Sequence, residues 1–269
     1  SVSGSAIRDW SCREWPAPTI ANCRPGAKPG VLATVAVPSH DAGYGEIEYM
    51  KPVFADLVSL VLIALTVALT LAWYPQLPDP MPIHWNAAGE VDGYMPKAWG
   101  VAMLPATAAF MFLVMKLVLL LSPKQHKTDE LLRMTALFQV LLTGFMCTIA
   151  VLVLLESMGH DTMLDRVIFG GIGLILVVVG ATIGKVRKNF FLGIRTPWTM
   201  WSDEVWDRTH RLGGKLFMLA GLLLFINAFV RLDLRLTLPV VVVLMLIPVV
   251  YSWIIYRGLR DRAGKDPAG

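Results

Sequence analysis

The chain has 269 residues, 55% of them hydrophobic, a formal charge of +4 from 24 basic and 20 acidic side chains, and a mean hydropathy of +0.59. Its apolar residues come in runs of about twenty, not at amphipathic spacing, which excludes an ordinary water-soluble fold and predicts an integral membrane protein. No helix-turn-helix, zinc-finger or RNA-binding pattern accompanies the basic residues, so the charge reads as membrane topology and not as direct nucleic-acid binding.

Residues 1–49 hold scattered Pro, Gly and Arg with no sustained periodicity, and the apolar stretch 31–37 barely reaches the minimum for a signal-peptide core. The expectation is a disordered or non-native upstream extension, with Met50-Lys51 standing as a natural start just before the first span. Cys12 and Cys23 lie in this stretch and Cys147 lies within a span, so no disulfide framework is implied.

Apolar runs at 54–73, 101–121, 135–155, 167–183, 216–230 and 236–256 predict six spanning helices, each able to cross about 30 Å of hydrocarbon, the fourth and fifth with local adjustment. The fold class is therefore an all-α integral membrane protein, a six-helix transmembrane bundle. Fifteen basic residues fall on one side of it: Lys51, three at 124–133, seven at 185–215 and four at 257–265. Only Lys97, Arg166, Arg231 and Arg235 fall on the other. Short basic loops stay in the cytoplasm, so both ends of the membrane domain are expected there. Lys116, about two turns from the inner end of its span, is expected to snorkel toward the headgroups. The organisation follows: 50–130 carries two spans and the outer loop 74–99, 131–262 carries four spans and the inner segment 189–214, and 263–269 is a tail. Gly170, Gly171, Gly173, Gly180 and Gly184 are read as helix-packing positions, and Asn227 as an interhelical hydrogen-bond partner.

The outer loop opens with four prolines in eight residues, Pro75 to Pro82, so it is expected to leave the first span as an extended, hydrogen-bond-poor strand. Turn chemistry at Gly89-Glu-Val-Asp-Gly93 and the interfacial residues Tyr94, Lys97 and Trp99 bring the chain back. One reading is a rigid cap anchored by Trp85 and Trp99 at headgroup level. His84, Glu90 and Asp92 match no zinc spacing, and no HExxH, Ser-His-Asp elbow or phosphate-cradling loop occurs, so no metal, cofactor or catalytic residue is assigned.

The inner segment follows Lys185, Arg187 and Lys188. Pro197 interrupts it, and Ser202 offers an N-cap with Asp203 and Glu204 in the first turn, predicting a cytoplasmic helix that runs into the fifth span. On that helix Trp206, His210, Gly213 and Phe217 share one face, against which a partner helix or the preceding turn can pack. His210 reads as a structural hydrogen-bond partner more readily than as a base.

Asn189-Phe-Phe-Leu-Gly193-Ile-Arg195-Thr196-Pro197-Trp198-Thr199, followed by Ser202-Asp-Glu-Val-Trp206 and Thr209-His210-Arg-Leu-Gly213-Gly214, resembles the signature of SdpI-like immunity proteins. The segment around Pro82-Ile-His84-Trp85-Asn86, Gly89, Asp92 and Lys97 is similar to the extracytoplasmic-loop domain of unknown function that often precedes it. The resemblance implies a non-enzymatic, multi-pass protein of the bacterial cytoplasmic membrane that protects its host from a secreted peptide toxin. It also implies that the outer loop faces the toxin and the inner segment faces a cytoplasmic repressor held at the membrane. The competing reading is a small membrane transporter, with Lys116, Asn227 and the glycine-rich fourth span lining a path; against it, the spans contain few ionisable groups and no discontinuous helix pair.

Overall fold

The computed structural model describes residues 51–86, 90–122, 129–186, 188–189 and 192–263. Residues 1–49, Gly89 and residues 264–269 lie outside that description. Six long apolar helices are present: α1 (Pro52–Trp73), α2 (Lys97–Leu121), α3 (Asp129–Ser157), α4 (Leu164–Ile183), α6 (Asp203–Val230) and α7 (Leu234–Ala263), with the short α5 (Pro197–Trp201) before α6. Leucine, valine and phenylalanine side chains along their outward faces are exposed, among them Leu57 on α1, Phe110 on α2 and Leu246 on α7, as a lipid-facing surface requires.

The helices overrun the apolar stretches that announce them. Hydropathy sees only the part immersed in hydrocarbon, whereas a helix continues while its caps allow. Thus α6 starts at Asp203, where Ser202 Oγ accepts from the Val205 N–H at 3.4 Å, and its 28 residues run for about 42 Å. Pro197, expected only to break a helix, begins one: it stands at the first position of α5, whose Thr196 and Thr199 satisfy each other in a capping box.

The outer loop departs further from expectation. After a 3-10 turn at Tyr74–Gln76 the chain forms an antiparallel hairpin of β1 (Met81–Trp85) and β2 (Val91–Met95), with Met81 opposite Met95 and His84 opposite Gly93. Pro82 removes one donor from β1, and β2 supplies the pairing that a lone extended segment lacks. Asp92 and Gly93, read as turn residues, sit in β2. Met81, fully buried, plugs the hairpin into a core of Leu77, Val101, Leu104, Val153 and Leu154.

Two kinds of contact hold the bundle. Between α4 and α6 the backbones themselves touch. A Cβ placed on Gly173 would lie 2.7 Å from the Gly221 carbonyl oxygen, and one on Gly221 would lie 2.5 Å from that of Gly173. Seven residues away, Gly180 and Gly214 repeat the arrangement at 2.6 and 2.7 Å. The glycine-packing expectation for these two α4 positions therefore resolves into two reciprocal pairs.

Between α1, α2 and α3 a polar network adds to the apolar packing. Lys116 pairs with Asp56, whose carboxylate also accepts from Gln139 Nε2 at 3.0 Å; Gln139 in turn donates to Ser59 Oγ at 3.2 Å. The lysine therefore does not simply snorkel: it turns sideways to a carboxylate one turn inside α1, a partner invisible while each span is read alone. Cys147 is buried and packs within the bundle.

Gly173→Ala and Gly221→Ala should each lower thermal stability of the purified protein despite alanine's better helix propensity, by about 1–3 kcal/mol of overpacking. Gly258→Ala, with nothing within 4 Å of its new Cβ, should be neutral or slightly stabilising. Equal melting temperatures for all three would remove the backbone contact as the reason for these glycines.

Candidate functional site

Helix alternation places the two motif segments at opposite ends of the bundle, the hairpin at one and residues 184–202 at the other.

At the motif end the chain crosses from α4 to α6 through a loop held from inside. Asn189 Oδ1 accepts from the Leu192 N–H at 2.7 Å and its amide donates to the Leu192 carbonyl at 3.2 Å, closing a local turn. Gly193 follows with φ of +124°, and a Cβ there would meet His210 Nε2 at 2.4 Å and the Trp206 ring at 2.9 Å. Only glycine fits both the dihedral and the space.

Ile194 then donates its N–H to His210 Nε2 at 2.9 Å. An accepting Nε2 leaves the proton on Nδ1, which donates to the Trp206 carbonyl at 2.8 Å. His210 is thus a neutral imidazole with both nitrogens engaged. Its ring stacks on Trp206 at 3.9 Å between centroids, and both side chains are 1% exposed.

Trp206 donates its indole N–H to the Val186 carbonyl at 2.8 Å and packs on Met134 and Phe138 of α3. Thr199 Oγ1 accepts from the Thr196 N–H at 2.8 Å and donates to the Ile194 carbonyl at 2.9 Å. Trp198 donates its indole N–H to Ser252 on α7, and Gly213 leaves the gap that Ile194 and Pro248 occupy. The loop therefore ties α3, α6 and α7 together. Ser252 was missed by sequence reasoning; a lone serine 54 residues away in an apolar run carries no local signal.

The most distinctive motif side chains point inward. Among the described residues of this end, Arg195, Pro197 and Trp201 are exposed beside the first turns of α6, where Glu204 and Arg208 pair at 2.6 Å and Lys188 pairs with Asp203.

At the hairpin end, His84 Nδ1 and Asp92 Oδ1 lie 2.5 Å apart across the strands with both side chains exposed. Asn86 donates to Glu90 Oε2 at 3.0 Å and accepts from the Glu90 N–H at 3.0 Å, so Glu90 turns away from His84 and the three ionisable groups do not converge. Lys97 is a clasp: its backbone N–H donates to Asp79 at 3.1 Å, its ammonium donates to the Leu77 carbonyl at 2.7 Å and lies 4.6 Å from the Tyr74 ring centre. Pro82 is buried. Trp85 packs on the hairpin core, whereas Trp99 is 71% exposed.

Behind the hairpin runs a groove of about 1210 Å³ between β1, the α3–α4 turn and the α6–α7 turn. Asn227 opens into it. The expected interhelical hydrogen bond from this residue is not made: its side-chain oxygen is buried without a partner among the described residues. Arg166, Arg231 and Arg235 also line the groove. Lying at 166 and then 231–235, they show their convergence only once the helices are packed.

Residues 185–252 match the SdpI/YfhL protein family, and residues 61–109 match a domain of unknown function (DUF1648). The immunity protein SdpI of Bacillus subtilis (strain 168) is 22% identical over 190 residues, 71% of this chain and 89% of that protein. No solved structure gives a significant match. The resemblance read from residues 189–214 therefore holds. The first match includes all of that segment, the second includes the hairpin, and the chain is a multi-pass bacterial membrane protein.

Gly193→Ala should insert into the membrane but lose stability, because its Cβ displaces His210 from Ile194. His210→Phe, which keeps the ring on Trp206 but leaves the Ile194 N–H unpaired, should cost about 1–3 kcal/mol. Thermal unfolding in detergent reads both; unaltered midpoints would show that the His210 link contributes nothing to the fold.

Proposed function

We propose that this protein is a bacterial immunity protein, which protects its host from a secreted peptide toxin without catalysis. The observation that carries the reading is the similarity to the Bacillus immunity protein over 89% of that protein's length. The physical logic is interception. An amphipathic peptide that lies in the headgroup region before it permeabilises the bilayer meets exposed aromatics at the same depth. Tyr94 is 60% exposed and Trp99 71% exposed, on or beside the hairpin.

In this reading the hairpin end is extracytoplasmic and the motif end cytoplasmic. The support is the distribution of basic residues, fifteen against four. His84, Trp85, Asn86 and Asp92 then lie on the toxin side, with Pro82 and Lys97 holding the hairpin that presents them.

A finer layer is signalling, in which the toxin-engaged protein holds a cognate repressor at its cytoplasmic face. The surface suited to this is the exposed rim of Arg195, Pro197 and Trp201 with the charged first turns of α6. Trp206, His210 and Thr199 support that rim from beneath. Signalling requires two bundle states with different toxin affinity, since a ligand that binds both equally shifts nothing.

The transporter alternative gains no support from the packing. Lys116 is paired with Asp56 beside α1, the α4 glycines Gly173 and Gly180 are filled by the α6 backbone, and Asn227 faces the hairpin groove. The three features do not line one path.

In a Bacillus subtilis strain lacking its own immunity protein, expression of the full chain should preserve membrane potential and survival under challenge by the toxin that protein resists. Depolarisation despite confirmed insertion would defeat immunity against that toxin. A reporter active only outside the cytoplasm should stay silent when fused to the C-terminus; an active fusion would reverse the orientation.

A further inference from the structure

We propose that the groove behind the hairpin binds the carboxylate-bearing end of an apolar peptide, with the Arg166 guanidinium and the Asn227 carboxamide as its polar anchors. In equating that peptide with a toxin, the proposal rests on the immunity reading above.

The anchors are incomplete in the free protein. Asn227 is 4% exposed, and its side-chain oxygen accepts no hydrogen bond from any described residue. A buried acceptor in this state calls for a donor, and a peptide N–H is one. Arg166 is in the same position with opposite sign. Its Nε is buried and unpartnered, and one terminal nitrogen meets only the Met163 sulfur at 3.4 Å, a weak acceptor.

The charges around them are arranged for an anion. Among the described residues the guanidinium groups of Arg166, Arg231 and Arg235 form no salt bridge within 4.0 Å, and the nearby Asp233 carboxylate accepts from the Arg235 backbone N–H at 2.8 Å instead. The acidic groups of the lining serve the α3–α4 turn instead: Glu156 accepts from the Thr162 N–H at 3.2 Å and from its hydroxyl at 2.5 Å, Asp161 accepts from the Met163 N–H at 3.4 Å, and Asp165 sits in the first turn of α4. Only four basic residues lie at this end of the membrane domain, and three of them converge on this one groove.

The wall favours a peptide over a lipid headgroup. Ile83, His84, Trp85 and Asn86 all line the groove. Among the described residues β1 pairs only with β2, which leaves its second edge unpaired, and the run of Ile83, His84 and Trp85, with Asn86 just beyond the strand, brings that stretch of β1 along the groove. A strand edge offers a row of backbone donors and acceptors, which a peptide matches by adding a strand and a phosphodiester does not. Trp85, Val153, Phe169 and Leu238 supply the apolar side of the cleft.

The test is binding of a short synthetic apolar peptide, as the free acid and as its C-terminal amide, to the full chain in phosphatidylcholine nanodiscs. Amidation should weaken binding by roughly tenfold or more, as expected for loss of a charge-assisted hydrogen bond. Arg166→Gln should abolish the difference between the two peptides, and Asn227→Leu should weaken both. Arg257→Gln, at the other end, should change neither. Equal binding of acid and amide to the wild-type chain, or discrimination that survives Arg166→Gln, overturns the proposal. So does competition by phosphatidylethanolamine with no acid–amide difference, which would mark a lipid site. In toxin-challenged cells, loss of protection by an inserted Arg166→Gln variant supports the groove. Full protection by that variant overturns the groove and leaves immunity standing, whereas acid-selective binding by a wild-type chain that protects nothing overturns immunity and leaves the groove.

Discussion

The backbone contact between α4 and α6 is the constraint on which both ends of the molecule depend. Lipid tails are as apolar as leucine, so helices in a bilayer gain little from hiding hydrocarbon from each other and are held by close packing and polar contacts. Two glycine pairs, Gly173 with Gly221 and Gly180 with Gly214, bring the α4 and α6 backbones together with no side chain between them. That fixes α6 in rotation and in height against α4. Its first turns then place Trp206 and His210 under the 189–199 loop, and its last turn places Asn227 and Ala228 in the floor of the groove. A shift of α6 against α4 would disturb both ends together.

The 189–214 motif reads differently once its side chains are placed. A run rich in tryptophan, histidine, arginine and proline at a membrane surface invites a recognition role for every member. Burial divides it. Trp206, His210, Thr199 and Asn189 are consumed in holding a loop that has no regular structure to satisfy its own backbone, and each of their hydrogen bonds replaces a contact with water. Among the described residues the side chains left exposed are Arg195, Pro197, Trp201 and those of the charged turns after Ser202.

The parts legible in the sequence are those set by local chemistry. Twenty-residue apolar runs gave the six helices, Ser202 gave the start of α6, and the shared face of Trp206, His210 and Gly213 gave the side on which the loop packs. Long-range partners were hidden. The hairpin was missed because β1 carries Pro82 with Pro80 just before it and each strand is only five residues long, so neither shows a strand's alternation by itself. Asp56 escaped notice as the partner of Lys116 because sixty residues separate them. The groove is illegible for the same reason: Arg166, Arg231 and Arg235 read one by one as topology signals, which is a statement about each loop and not about which loops meet.

The Asp56–Lys116 pair shows why the two halves of the bundle are built unlike each other. A lysine inside a span costs about 2.5–3.5 kcal/mol on insertion scales, and an aspartate costs a similar amount. Pairing them offsets part of that cost, and the Gln139 amide extends the network to Ser59 on α1. Such a contact is directional: it fixes which helices meet while allowing them to stand apart at side-chain distance. Glycine packing permits no such spacing, since it works only at backbone contact. The first three helices are therefore joined by a directional polar network as well as by apolar packing, and α4 and α6 by surfaces that can only fit or separate. The glycine contact thus runs from beneath the 189–199 loop toward the groove floor, the ion pair joins α1 and α2 at the end away from the hairpin, and the hairpin itself rests on the apolar core that Met81 shares with α2 and α3.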